Sequence, residues 1–170
     1  MTQLSDIQND PRKALFAMLD GVRAGMLGLT ASGTGLQPMT HFPDADAGVI
    51  WFISSTQSDL VQAVGLGEEA DYVAVSHDHD MHASLHGKLY HLTDAKKLAE
   101  LWNPVIAAWF KGGSYDPQVA LLRFEPATAE IWGSTTSTLR FGFEMLRATL
   151  DADHSPDVGV RAHVNFPTAA

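Results

Sequence analysis

Short β-branched and aromatic runs, each closed off by turn residues, most narrow what this chain can fold into. Val49-Ile50-Trp51-Phe52-Ile53 is the clearest: an apolar run too short for a helix, bounded by Gly48 and Ser54, and it reads as a buried strand. Ala24–Thr30, Leu36–Phe42, Asp71–Ser76, His82–Leu92, Val119–Phe124 and Ala129–Trp132 read the same way, and Gly159–Phe166 is a further candidate. The links between them are hairpin-like, as at Ser32-Gly33-Thr34-Gly35 and Pro43–Gly48, so about six strands are expected. No regular β-α-β alternation occurs. The expectation is a mainly β, α+β chain built on an antiparallel barrel or sandwich with appended helices.

The helices announce themselves by their caps. Asp10-Pro11 opens one, with Ala14, Leu15, Met18, Leu19 and Val22 as its apolar stripe. Ser58 opens a second through Leu66, with Leu60, Val61 and Val64 inward. Thr93-Asp94 caps a third from Ala95 to about Trp102, and Pro104 starts a short fourth to Phe110. Leu139–Leu150 is expected to be helical toward its end. Glu125-Pro126 separates two strands in this reading. With 170 residues and no repeat or linker, the chain is read as one domain, residues 1–170 with a core of about 11–166.

Charge excludes several partners. The chain carries 11 Lys and Arg against 20 Asp and Glu, a formal charge of −9, and has no Lys or Arg between Arg23 and Lys88. Nucleic-acid binding needs clustered cations, and anionic membranes need the same, so neither partner is expected. There is no cysteine, which removes disulfides, thiol catalysis, thiolate zinc and iron–sulfur clusters. The polar start, Met1–Asp10, lacks an apolar leader core, so a cytoplasmic protein is expected.

Several motifs have plain structural readings. Gly65-Leu66-Gly67-Glu68-Glu69-Ala70 matches a dinucleotide fingerprint in letters only. It follows a helix, and two carboxylates would face the pyrophosphate. His82 and His86 would chelate on a helix, but His82-Ala83-Ser84-Leu85-His86 alternates like a strand. That spacing puts them about 13 Å apart, so no metal site is expected. Asp44 with Asp46 and Asp78 with Asp80 read as turn carboxylates. Trp102, Trp109, Phe110 and Trp132 read first as core.

A family likeness rests on several motifs in order. These are Leu36-Gln37-Pro38-Met39-Thr40, Ile50-Trp51-Phe52-Ile53-Ser54-Ser55 with Ser58-Asp59-Leu60, and Ala83-Ser84-Leu85-His86-Gly87. They continue with Leu101-Trp102-Asn103-Pro104, Ala108-Trp109-Phe110, Ala120–Phe124, Ala129-Glu130-Ile131-Trp132 and Phe141-Gly142-Phe143. Over roughly Pro11 to Phe166 the chain resembles the general stress protein branch of the pyridoxamine 5'-phosphate oxidase-like, FMN-binding split-barrel family. The resemblance implies a six-stranded antiparallel split barrel, a homodimer with FMN at the subunit interface, and an FMN-dependent oxidoreductase in which the flavin performs the redox step.

Position by position, it implies cofactor contacts from Gln37, Met39, Thr40, Phe52, Ser54, Ser55, Ser58, Leu60, His82 and Trp132. Gln37 stands where the family has a phosphate-contacting Arg. Leu60 and Thr138 stand where it has Lys. The amides at the start of the Ser58 helix are a candidate replacement anion site, and Lys88 or Arg140 are candidate replacement cations. No residue is assigned as catalytic, and His82 is the candidate acid or base. The alternative is a flavin-free split-barrel dimer acting as a binding or structural stress protein. A third reading has His41, His82 or His86 holding an anion at acid pH.

Overall fold

The computed structural model describes residues 4–31, 35–134 and 159–167. In chain order it contains α1 (Leu4–Asn9), α2 (Pro11–Gly21), β1 (Ala24–Leu29), β2 (Gln37–Asp44), β3 (Val49–Ser55), α3 (Asp59–Val64), β4 (Glu68–Val75) and β5 (Met81–Leu92). These are followed by α4 (Ala95–Leu101), α5 (Pro104–Ala107), a 3-10 turn (Gly113–Tyr115), β6 (Val119–Ser134) and β7 (Gly159–Asn165). The expected turn at Ser32-Gly33-Thr34, the position Thr138 and the Leu139–Leu150 helix lie outside the described residues, as do Arg140 and Phe141-Gly142-Phe143.

The helix starts follow the capping logic. The Asp10 carboxylate accepts from Lys13 N at 3.0 Å, and Pro11 occupies the first turn of α2. Asp94 accepts from Lys97 N at 2.9 Å at the head of α4. Asn103 accepts from Val105 N and Ile106 N at 2.9 and 3.2 Å before α5. Each satisfies a backbone donor that the helix itself cannot.

All strand pairings are antiparallel, in the order β3-β2-β1-β4-β5-β6-β7. An additional β3–β6 pairing closes the first six strands into a barrel. β7 lies outside that closure and pairs with the C-terminal half of β6. Alternation decides what enters the barrel: Leu27 and Leu29, Ile50 and Phe52, Ala70, Tyr72 and Ala74, Leu85 and Leu89, and Leu122 and Phe124 are all buried. α2 buries Ala14, Leu15, Phe16, Met18 and Leu19 against this core, and α3 adds Leu60, Val61 and Val64.

Four local expectations change. Glu125-Pro126 does not divide two strands, because β6 runs unbroken through it. The register shifts between His86 and Gly87, where Gly87 stands opposite Pro126, so the bulge absorbs the missing proline donor. Only glycine fits there, since a Cβ on Gly87 would lie 2.1 Å from the Glu125 carbonyl oxygen. α1 was not anticipated. It forms in the polar N-terminal stretch and anchors through Ile7, 1% exposed, over Gly133. β4 starts at Glu68, immediately after the Gly65–Gly67 turn, so the fingerprint-like glycines link a helix to a strand. Trp109 and Trp132, read first as core, are exposed, whereas Asp80 keeps its turn position, is buried there and accepts from Ser76 Oγ at 2.6 Å. Among the described residues no helix is long and apolar enough to cross a membrane.

Candidate functional site

The barrel is split between β2 and β3. Their ladder runs from Asp44↔Val49 to His41↔Phe52 and ends there. Beyond that point β2 stays with β1, down to Gln37↔Leu27, while β3 stays with β6, out to Ser55↔Val119. One lip of the split therefore carries Gln37, Met39 and Thr40, and the other carries Ser54 and Ser55, with Ser58 at the head of α3.

The polar groups of the second lip are partly committed, Ser58 most fully. Ser58 Oγ donates to the Ser55 carbonyl at 2.9 Å and accepts from Val61 N at 3.3 Å, which caps α3. Ser55 Oγ accepts from Gln57 N at 3.2 Å. Ser54 Oγ lies 3.4 Å from Ser58 Oγ. α3 has only six residues, too short for the N-terminal anion site considered from sequence. Phe52 is fully buried and Leu60 is 4% exposed. Both side chains belong to the core, and Phe52 meets Tyr72 edge-on at 5.3 Å between ring centroids.

His82 and Trp132 lie elsewhere. They are cross-strand partners on the outer face of β5 and β6, and both are exposed, Trp132 at 41%. Following the registers from β2 through β1, β4 and β5 to β6, Thr40 and Trp132 are four strand spacings apart, on the order of 19 Å around a curved wall. The sequence-derived site thus divides into two groups that a single copy of the chain does not bring together.

Around Trp132 the structure adds groups that sequence reasoning missed. The Arg161 guanidinium sits over the Trp132 ring, 5.7 Å from its centroid. Arg161 Nε donates to Glu130 Oε2 at 2.9 Å, and His163 Nδ1 donates to Glu130 Oε1 at 2.7 Å. His163 Nε2 also faces Asn165 Oδ1 at 3.1 Å. Hydrogen bonding to Glu130, then to Asn165, raises the His163 pKa above its ordinary value. The bonds from His163 and then Arg161 hold the Glu130 carboxyl below its ordinary range. The signal was the alternation Glu130-x-Trp132 against Arg161-x-His163, but the β6–β7 pairing that brings the two together is long-range.

The histidines separate sharply. His41 is buried; its Nε2–H donates to the Leu19 carbonyl at 2.8 Å, and Nδ1 accepts from the Tyr72 hydroxyl. Burial, partly offset by backbone hydrogen bonding to Leu19, lowers its pKa, and burial raises that of Tyr72. His86 is held between Asp71 at 2.9 Å and Glu69 at 3.2 Å. Of the three histidines considered for anion binding, only His82 is exposed with no carboxylate partner among the described residues. No group of three or more His, Asp or Glu is placed to hold a metal ion among the described residues.

Comparison with known proteins supplies the frame for this geometry. A family profile described as pyridoxamine 5'-phosphate oxidase like matches residues 10–157. A protein assigned as a general stress protein 26 from Jannaschia sp. CCS1 is 39% identical, with 89% of this chain and 95% of that chain covered, at a TM-score of 0.75. The general stress FMN/FAD binding protein from Xanthomonas citri is 36% identical over 74% of this chain and 89% of its own, at a TM-score of 0.66. A protein assigned to the general stress family from Xanthomonas campestris pv. campestris is 36% identical over 81% and 93%, at a TM-score of 0.65. A search of curated proteins finds no match. The profile covers most of the chain, the relatives share its split barrel, and the chain belongs to the pyridoxamine 5'-phosphate oxidase-like family.

Proposed function

We propose that the chain is a flavin-binding protein of the general stress type, working as a homodimer that holds the flavin between subunits. One observation carries the reading. The residues matched to flavin contacts form two groups, at the β2–β3 split and on the β5–β6 outer face, and two copies of the chain offer a way to join them. The outer face suits a second copy: Met26, 38% exposed, pairs with Val73, and Val73 in turn with Ser84, beside the His82–Trp132 pair. The Xanthomonas citri relative, described as binding FMN or FAD, supports the ligand class.

The two ends of FMN fit differently. The exposed Trp132 ring and His82 offer flat surfaces for an isoalloxazine ring, and Thr40 on the facing lip can border it, while Met39 packs against the core. Among the described residues, the side chains of the two lips bring no cation to the phosphate. A bound flavin supplies hydride and electron transfer, making the protein an oxidoreductase, while the chain's own groups position the ring and exclude water. His82 is the exposed group at the platform able to carry a proton there. A cytoplasmic location accompanies this reading.

A visible absorption spectrum of the purified protein tests it, with flavin fluorescence read after denaturation. A yellow protein, or saturable uptake of added flavin, is the expected result. A colourless protein that takes up neither FMN, FAD nor riboflavin would sink it. The flavin-free dimer would then be favoured, with the cation-free split as its supporting observation.

A further inference from the structure

Resting on the flavin reading above, we infer that this chain does not grip the flavin through a phosphate, and that its site takes a neutral flavin such as riboflavin at least as well as FMN. The two lips of the split are made of an amide, a thioether and hydroxyls: Gln37 and Met39 on one side, Ser54, Ser55 and Ser58 on the other. Such groups match the hydroxyls of an uncharged ribityl chain, each of which both donates and accepts. A phosphate monoester, with close to two negative charges at neutral pH, needs cations or several free donors.

The donors left free there are few and neutral: the hydroxyls of Ser54 and Ser55 and the amide of Gln37. The Ser58 hydroxyl spends its proton on the Ser55 carbonyl and its lone pair on Val61 N. Leu60, 4% exposed, faces the core, so its position offers no charge. Asp59, exposed in the first turn of α3, adds a negative charge beside the lip. Several of the described cations further away are engaged. Lys97 faces Asp44 at 3.2 Å, Arg161 faces Glu130 at 2.9 Å, and Arg123 pairs with Glu125. A dianion taken out of water without a partner is strongly disfavoured, whereas a neutral flavin loses nothing of that kind.

Two exposed cations lie in segments that adjoin the split: Arg23, one residue before Ala24, the partner of Thr40, and Lys111. Lys111 is exposed, in the loop whose Gln118 carbonyl accepts from Thr56 N at 2.8 Å. That loop is pinned by Asp116, which accepts from Gly112 N and Gln118 N at 3.0 and 2.9 Å.

The test is a fluorescence-quenching titration of the full chain with riboflavin and with FMN, each at low and high salt. The expected result is a riboflavin Kd no more than about threefold above that of FMN, and an FMN Kd that salt does not weaken. FMN binding more than about threefold tighter than riboflavin, or an FMN affinity that falls with salt, would overturn the inference while leaving the flavin reading intact. Binding of neither flavin would overturn both. Gln37→Arg, which puts a cation on the partly exposed lip, is expected to raise the FMN preference at least about tenfold. Lys111→Ala is expected to leave the preference of the parent chain in place. A fall in FMN affinity alone with that variant would show that the chain does hold the phosphate.

Discussion

The β2–β3 split and the β5–β6–β7 face treat charge in opposite ways. At the split the chain avoids it: Leu60 is core, Gln37 is neutral, and the hydroxyl groups satisfy the start of α3. On the outer face charge is concentrated and neutralised in place, with Glu130 between Arg161 and His163 and Arg161 laid over Trp132. The cation gap from Arg23 to Lys88 therefore leaves the lip residues of one half of the site without a positive charge, while β7 delivers cations to the other half from far along the chain. The wall between the two regions, and not composition alone, determines which charges meet.

The largest effect should come from breaking that wall. Gly87→Val puts a side chain against the Glu125 carbonyl, where a Cβ alone would be 2.1 Å away. Backbone cannot yield as a side chain can, so a loss of about 3 kcal/mol or more is expected from urea unfolding. A loss below about 1 kcal/mol would mean that the bulge does not set the β5–β6 register.

Next in size is Tyr72→Phe, which removes the donor to buried His41 Nδ1 and leaves that nitrogen unsatisfied. A cost of about 1–3 kcal/mol is expected, read from the denaturation midpoint. Ser58→Ala removes the cap of α3 and should cost about 1 kcal/mol. Trp132→Ala is the contrasting case on the exposed face. It should change stability by only about 0.5 kcal/mol while lowering flavin affinity at least about tenfold. Equal loss of stability in the Trp132 and Ser58 variants would blur the distinction between the two regions.

The smallest effect is a pH contrast between two histidines. His41 has a lowered pKa in the fold, chiefly through burial. The unfolded chain therefore binds the proton first, and stability should fall as pH drops below about 6.5. His163 has a raised pKa, chiefly through Glu130. Its contribution is fully present below about pH 6.5 and lost as pH rises through its folded value. Thermal unfolding of His163→Gln against the parent should thus differ most at mildly acid pH and converge in mildly alkaline buffer. The reverse trend would remove the Glu130–His163 bond from the account.

Much of the fold was legible because local rules sufficed. Val49–Ile53 is a strand because it is β-branched, aromatic and bounded by turns, and Asp10, Ser58 and Asp94 cap helices with the side chains that sequence reasoning selected. What was hidden depends on pairing. Pro126 reads locally as a break, and only its partner Gly87 makes it part of one long strand. The barrel-facing phase of His41 becomes visible once β2 is aligned with β3 and α2 supplies the Leu19 carbonyl. Arg161 and His163 acquire their surroundings from β6, far away in sequence.

The central claim is that the two regions serve one ligand from different copies of the chain, and mixing variants tests it most directly. Thr40→Trp blocks one lip of the split, and Trp132→Ala removes the platform. Each alone should bind little flavin. Unfolded together and refolded, the two should recover about a quarter of the parent's flavin capacity, because half of the dimers pair unlike chains and each of these holds one intact site. No recovery in mixed dimers whose presence is established by mass would contradict it.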